Sequence, residues 1–292
     1  MSNIKVPEKI YVRLYAGMGD FYKRYFCHPT WQCLEDLKKQ YPETKIKALL
    51  VSQTIPALRL VDYHPCLDET IEPKIHLREF KDKDITKYVG DYVPLGVGVA
   101  TKFIRNIPPI FMSSKDKEFI KSITSKYNRF ICLHPFAGDA YGLNTRTPLK
   151  LPEYIPTIKS LIRSGYTVFM LGKSWDRIIA GTNKTKKIIE RFDWQHPGFV
   201  NLIDKTNVRT SAELIRQSDG FVGTASSLMC AAWSMEATKT VIITSQRWKQ
   251  PLEEMPWAKD RIIQPQNKMI YLNNDRSPQR LQEVADITTR WF

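Results

Sequence analysis

VGTASSLMCAAWSM, Val222–Met235, reads as the end of a strand, a pair of serines and then a helix of small and apolar residues. GFVG (Gly220–Gly223) supplies the strand before it and KTVIIT (Lys239–Thr244) a strand after it. A strand–helix–strand unit of this kind makes a parallel crossover, so the stretch predicts an α/β fold with a parallel sheet. The first amides of a helix lack intrahelical partners and sit at the positive end of its dipole, which favours phosphate. Thr224, Ser226 and Ser227 therefore stand as candidates for binding a diphosphate. Serine is also a common N-cap, and that bland role stays open for both serines. Ala231 and Ala232 let the helix pack close to its sheet.

Outward from this stretch the same alternation continues. FICLHPF (Phe130–Phe136) is a buried strand, and LPEYIPTIKSLIRSG (Leu151–Gly165) a helix stopped by its glycine. TVFMLGK is a strand, SWDRIIAGTNKTKKIIERF an amphipathic helix, GFVNLID a strand and TSAELIRQSD a short helix with a Thr/Ser start. SPQRLQEVADITTRWF is a final helix opened by Ser277-Pro278. In the first part of the chain, KIYVRLY (Lys9–Tyr15) is a strand ending in the turn AGMGD, followed by a helix through HPTWQCLEDLKKQY. KIKALLV is a second strand, TIPALRLVDY a short helix and ETIEPKI a return towards the sheet. Between His76 and Pro109 no period is sustained, and Gly96 and Gly98 make only a lone GxG, which reads as loop or irregular strand. NIPPIFMSSKDKEF reads as an interdomain linker stiffened by Pro108-Pro109.

Composition excludes several classes. The chain has 292 residues, enough for two domains, and 42% hydrophobic residues, which argues against disorder. No apolar run reaches a membrane span, and MSNIKVPEKIY lacks the apolar core of a signal peptide, so a cytoplasmic protein without integral membrane contact is expected. The five cysteines form no CxxC pair, and the five histidines show no HExxH spacing. No metal site is expected. A net charge of +14 asks for a polyanionic partner: nucleic acid, anionic lipid or an acidic glycan.

IYVRLYAGMGD, FICLHPFAG, LPEYIPTIKSLIRSGYTVFMLGKSWDR and NLIDKTNVRTSAELIRQSDGFVGTASSLMCAAWSMEATKTVII together resemble the ADP-heptose:lipopolysaccharide heptosyltransferase-like glycosyltransferases. The resemblance covers the first fifty residues and most of Phe130–Thr244 and fades between Leu77 and Lys126. It implies a GT-B architecture, two Rossmann-like parallel-sheet domains facing across a cleft with the C-terminal helix crossing back. The corresponding boundaries are residues 1–112 for the acceptor-side domain, 113–275 for the nucleotide-sugar domain and 276–292 for a helix packing on the first domain. It also implies inverting, metal-independent transfer, with a nucleotide sugar as co-substrate and no cofactor. The chain departs from the family where an acid is replaced by Ala225, a glycine by Ser227, a histidine by Cys230 and a proline by Phe26.

On this resemblance Asp20 is the general base, a carboxylate within reach of the attacking hydroxyl. Aspartate is equally a helix N-cap. Gly17 and Gly19 permit the tight turn, and Gly19, Tyr22, Lys23 and Arg24 line the acceptor side. FYKRYF (Phe21–Phe26) sets aromatics on neighbouring helical faces with cations between them, a pattern able to stack bases and hold phosphates, although such stripes usually enter the core. Lys150 or Arg146 would neutralise the leaving diphosphate, since TRTPLKLP permits either register. Lys173 would touch the nucleotide, and Thr206 and Asp204 would line the base or ribose pocket. Lysine-rich stretches at Lys115–Lys126 and Lys184–Arg191, with Arg247–Lys249, add basic surface that is equally explained as solvated faces.

The expected activity is sugar transfer to a hydroxyl on a polyanionic acceptor. A modified DNA base of the hydroxymethylcytosine type is favoured over lipopolysaccharide core. A non-catalytic nucleic-acid-binding module and a nucleotide-sugar epimerase are the other readings.

Overall fold

The computed structural model describes residues 9–14, 30–50, 59–71, 91–94, 109–135, 149–173, 194–235, 238–246, 265–273 and 275–292. The chain divides into two compact units, Met1–Lys115 and Asp116–Phe292, where the sequence reading ended its first domain at residue 112.

The first unit is a parallel sheet of β1 (Lys9–Leu14), β2 (Lys45–Leu50), β3 (Glu69–Ile71) and β4 (Asp91–Pro94) in the order β3-β2-β1-β4. Helix α1 (Thr30–Gln40) joins β1 to β2 and buries Leu34 and Leu37 at helical spacing. β4 falls in the stretch where the sequence shows no period. It is a short edge strand pairing Arg13 with Pro94 at its end, and proline is tolerated only at such an edge. His64 is buried beside the ring of Phe111, with Nδ1 accepting from the Cys66 amide. Burial lowers its pKa to about 4, so the ring is uncharged at neutral pH.

The unit boundary falls in the first turn of α2 (Ser114–Thr124), and the second unit continues with β5 (Phe130–His134), α3 (Ile155–Arg163), β6 (Thr167–Met170), β7 (Phe199–Asn201) and α4 (Val208–Gln217). It continues with β8 (Gly220–Gly223), α5 (Ser227–Ser234), β9 (Lys239–Ser245), β10 (Asn267–Leu272) and α6 (Pro278–Trp291). All six strands are parallel in the order β10-β9-β8-β5-β6-β7. Counted within the unit this is 3-2-1-4-5-6, the doubly wound order, and its direction reverses between β5 and β8.

Side-chain alternation divides the sheet into two faces. Ile131, Leu133, Val168, Met170, Val222, Val241 and Ile243 share one core with Ile158 and Leu161 of α3 and Val284 of α6. Each fully buried aliphatic side chain of this kind contributes about 1.5–3 kcal/mol of transfer free energy. Helices α4 and α5 pack together, and α5 lies over β8 and β9. α6 packs against α3 and β9, with Thr289 donating to Ser160 Oγ. Gly165 ends α3 at φ 85, as its place after the apolar run predicts. Asn207 caps α4 rather than the Thr/Ser pair, its Oδ1 accepting from the amides of Arg209 and Thr210. β10 is a strand the sequence reading left out. Only Ile270 and Leu272 along it are buried, since an edge strand needs just one apolar face.

Candidate functional site

In an open parallel sheet, ligands bind beyond the carboxyl ends of the strands where the strand order reverses. Here those ends are His134 on β5 and Gly223 on β8, which are register partners. The two strands approach closely: a Cβ on Gly223 would meet the His134 carbonyl oxygen at 2.7 Å and the Phe221 ring at 2.8 Å. Glycine is required there for contact rather than for a turn. The chain then passes through Thr224 and Ala225 into α5. The Thr224 amide donates to the His134 carbonyl at 3.2 Å, extending the β5–β8 ladder one step past the strand.

Ser226 is the N-cap of α5, with extended backbone and Oγ accepting from the Met229 amide at 3.3 Å. The same oxygen lies 2.9 Å from His134 Nδ1. Both residues are buried, His134 at 4% exposure and Ser226 at 8%. Ser227, the first residue of α5, is half-buried, and its amide and that of Leu228 belong to the first turn, where no intrahelical carbonyl is available. The reversal point thus holds a helix N-terminus with its dipole directed past the sheet, a capping serine and a histidine behind that serine. Anion binding is the chemistry such a terminus supplies.

Thr244 adds a polar group on β9, the strand next to β8 that α5 also packs over. Gly223 pairs with Ile242 on β9, and Thr244 stands two residues further along, on the same sheet face as His134. It is fully buried, and its hydroxyl has no hydrogen-bond partner among the described residues. Thr244→Val is expected to leave stability unchanged or raise it, because the variant removes an unsatisfied hydroxyl and keeps the branched shape. A loss of more than about 1 kcal/mol in chemical denaturation, the worth of one ordinary hydrogen bond, would show that the hydroxyl is satisfied in solution.

Among the other residues predicted from the sequence, Lys173 follows β6, and Asp204 and Thr206 follow β7. Lys173 is exposed just past β6, in the loop where Gly172 takes φ 144 and its carbonyl accepts from the Asp204 amide. Asp204 itself has φ 62, so the loops leaving β6 and β7 are tied together through a left-handed residue. Thr206 is buried, and its hydroxyl oxygen accepts from Ser211 Oγ at 2.9 Å, which uses it inside the α4 N-terminus. Lys150 is exposed before α3, with its amide donating to Glu153. Ala225, just before the α5 cap, and Cys230, within α5, are both buried. Asp20, Gly19, Tyr22, Lys23, Arg24 and Arg146 lie outside the described residues.

Sequence reasoning missed three groups. His134 was read only as a strand residue, although a histidine closing the first strand of a doubly wound unit was its signal. Thr244 gave none, because an unpartnered hydroxyl becomes visible only after packing. The third is a buried cluster at the start of α4, where Asp116 accepts from Arg209 Nε at 3.0 Å and from Asn207 Nδ2 at 2.7 Å. Among the described residues no three His, Cys, Asp or Glu side chains come together as a metal site, and no helix is long and apolar enough to cross a membrane.

No protein-family model matches the chain, and no curated relative matches it by sequence. Solved structures do. Escherichia coli ADP-heptose lipopolysaccharide heptosyltransferase II aligns over 97% of this chain and 98% of its own, with a TM-score of 0.58 at 15% identity. A family 9 glycosyl transferase from Veillonella parvula aligns over 98% and 99%, with a TM-score of 0.55 at 12% identity. An E. coli heptosyltransferase solved with ADP-2-deoxy-2-fluoro heptose aligns over 97% and 99%, with a TM-score of 0.52 at 9% identity. The likeness runs the length of each chain at 9–15% identity, and its conclusion concerns architecture: this protein has the GT-B-type α/β fold of the heptosyltransferases.

Proposed function

We propose that this protein is a heptosyltransferase-type glycosyltransferase that moves a sugar from a nucleoside diphosphate sugar to a hydroxyl on a polyanionic acceptor. The observation that carries the reading is the Ser226-capped N-terminus of α5 at the point of strand reversal, in a fold shared from end to end with heptosyltransferases. In this reading the first-turn amides of α5 take the diphosphate, and Lys173 with Lys150 or Arg146 adds positive charge on the donor side. The acceptor oxygen attacks the anomeric carbon as the bond from that carbon to the phosphate oxygen breaks. The nucleoside diphosphate leaves with the bonding electrons, the acceptor proton passes to Asp20, and the anomeric centre inverts. Charge building on the leaving diphosphate is met by fixed dipoles and cations, so the reading assigns no step to a metal.

For the acceptor, we favour DNA carrying a hydroxylated base of the hydroxymethylcytosine type. The net charge of +14 and the aromatic and cationic run Phe21–Phe26 support it. On α2, Lys115, Lys117 and Lys121 are exposed. A base in duplex would have to leave the stack to meet the donor. The fold likeness supports a second acceptor class, lipopolysaccharide, which the name of the matched E. coli heptosyltransferase carries, and lipopolysaccharide core is the form to assay.

A panel of nucleotide sugars incubated with hydroxymethylated DNA, unmodified DNA, core glycan or no acceptor, with products weighed by mass spectrometry, tests both. The expected result is a mass increase of one sugar on hydroxymethylated DNA alone. DNA affinity should also fall by about tenfold or more between 50 and 200 mM salt as counterion release is suppressed. Transfer only to the core glycan would select the second acceptor. Turnover of the sugar without any acceptor would select an epimerase, and DNA binding without any sugar chemistry would select a non-catalytic module.

A further inference from the structure

The hydrogen-bond inventory of Ser226 carries one step further. A serine hydroxyl has two lone pairs and one proton. One lone pair of Oγ accepts from the Met229 amide, which makes the N-cap. His134 Nδ1 stands 2.9 Å from the same oxygen. If the ring carries its proton on Nε2, Nδ1 receives the serine proton and Ser226 has no donor left. If Nδ1 carries the proton, it fills the second lone pair, and the serine proton must go to another acceptor.

A cap hydroxyl held by amide and imidazole at once is a one-proton donor whose direction is imposed by its two partners. The acceptor it suits is an anion, and it stands at the helix terminus that favours one. Thr244, on the same sheet face as His134 and on the strand β9 that α5 packs over, supplies an independent sign of a ligand: a fully buried hydroxyl without a partner among the described residues. The rigidity comes from below. His134 ends β5 and is locked in register with Gly223, whose close approach leaves no room for any side chain between the two strands.

We propose that His134 is the positioning residue of the diphosphate site: by donating from Nδ1 to Ser226 Oγ it turns the serine proton towards a phosphate oxygen. The inference rests on the glycosyltransferase reading and adds the residue that tunes its donor site. No bond to carbon or phosphorus changes in this step, only the tautomer of one ring and the direction of one O–H.

The test uses the full chain and the probes ADP, UDP, GDP and CDP, each compared with its monophosphate and nucleoside by titration calorimetry. His134→Ala should weaken the preferred diphosphate about fivefold to tenfold, the worth of one well-placed hydrogen bond, and change the nucleoside much less. His134→Asn, which keeps a polar atom near the Nδ1 position, should recover most of the affinity. Ser226→Ala and the double variant should match His134→Ala, because both act through one hydroxyl. Ring nitrogen NMR of the wild-type protein should show the His134 proton on Nδ1 when the diphosphate is bound.

Equal loss for diphosphate and nucleoside, additive losses in the double variant, or a proton on Nε2 in the complex would each overturn the positioning role while leaving the glycosyltransferase reading intact. Failure of the wild-type protein to bind any of the four diphosphates would overturn both together. Should His134→Ala not fold, His134→Asn and the NMR measurement decide the matter.

Discussion

Replacing Asp20 with asparagine should lower sugar transfer by about 10²–10⁴-fold, the range associated with loss of a general base, while donor affinity stays within about twofold, as it must if the carboxylate acts on the acceptor proton alone. The choice of asparagine separates the two roles of the position. Asparagine caps a helix as well as aspartate does, so a merely structural Asp20 would lose little in the variant. A catalytic carboxylate would lose its whole contribution, because the amide cannot accept a proton from an attacking hydroxyl. Single-turnover transfer at saturating donor, with a thermal midpoint measured alongside, gives the answer. Retention of more than about half the wild-type rate would make Asp20 a cap and return the chain to the class of binding modules.

The second large effect concerns stability. Asp116→Ala should destabilise the second unit by about 3–5 kcal/mol, as happens when one partner of a buried ion pair is removed. Asp116 and Arg209 expose only 9% and 11% of their side chains, so the guanidinium left behind could not rehydrate fully. The variant also strips the Asn207 amide of its acceptor, and Asn207 caps α4. Urea denaturation followed by near-ultraviolet circular dichroism would measure the loss. The double variant Asp116→Leu with Arg209→Met should recover at least about half of it, since an apolar pair of similar volume carries no desolvation cost. If Asp116→Ala costs less than about 1 kcal/mol, the figure for an exposed pair, water reaches the cluster and it does not hold α2 to α4.

The fold was largely legible because its strands advertise themselves. FICLH, TVFM, GFVG and KTVIIT are short runs enriched in β-branched or aromatic residues, separated by helices with glycine or serine punctuation, and each appears as a strand. The two missed strands fail for opposite reasons. β4 has only four residues, ends in proline and forms because β1 offers it a backbone edge. β10 alternates too weakly to stand out, because one of its faces needs no apolar side chains.

The site was legible as a place more than as a set of contacts. Adjacent serines before a small-residue helix stand where the strand order reverses, and Ser226 caps that helix. Thr206 shows the limit. Its type and position suit a ribose contact, and its oxygen also accepts from Ser211 on α4, a partner five residues away that no pattern singled out. His134 shows the converse. Its place at a strand end was visible, but its contact with Ser226, 92 residues away, was not.

Local chemistry by itself determined the parallel α/β alternation, the glycine stop of α3, the serine starts of α5 and α6 and the basic character of the whole. Those features depend on backbone preference, side-chain period and charge, all of which are written within a few neighbouring residues. Tertiary structure alone decided that β5 and β8 are neighbours, which brings His134 to Ser226 and Gly223 against the His134 carbonyl. Strand order is a property of how separate hydrophobic faces stack, and no local sequence signal encodes which two ends will meet.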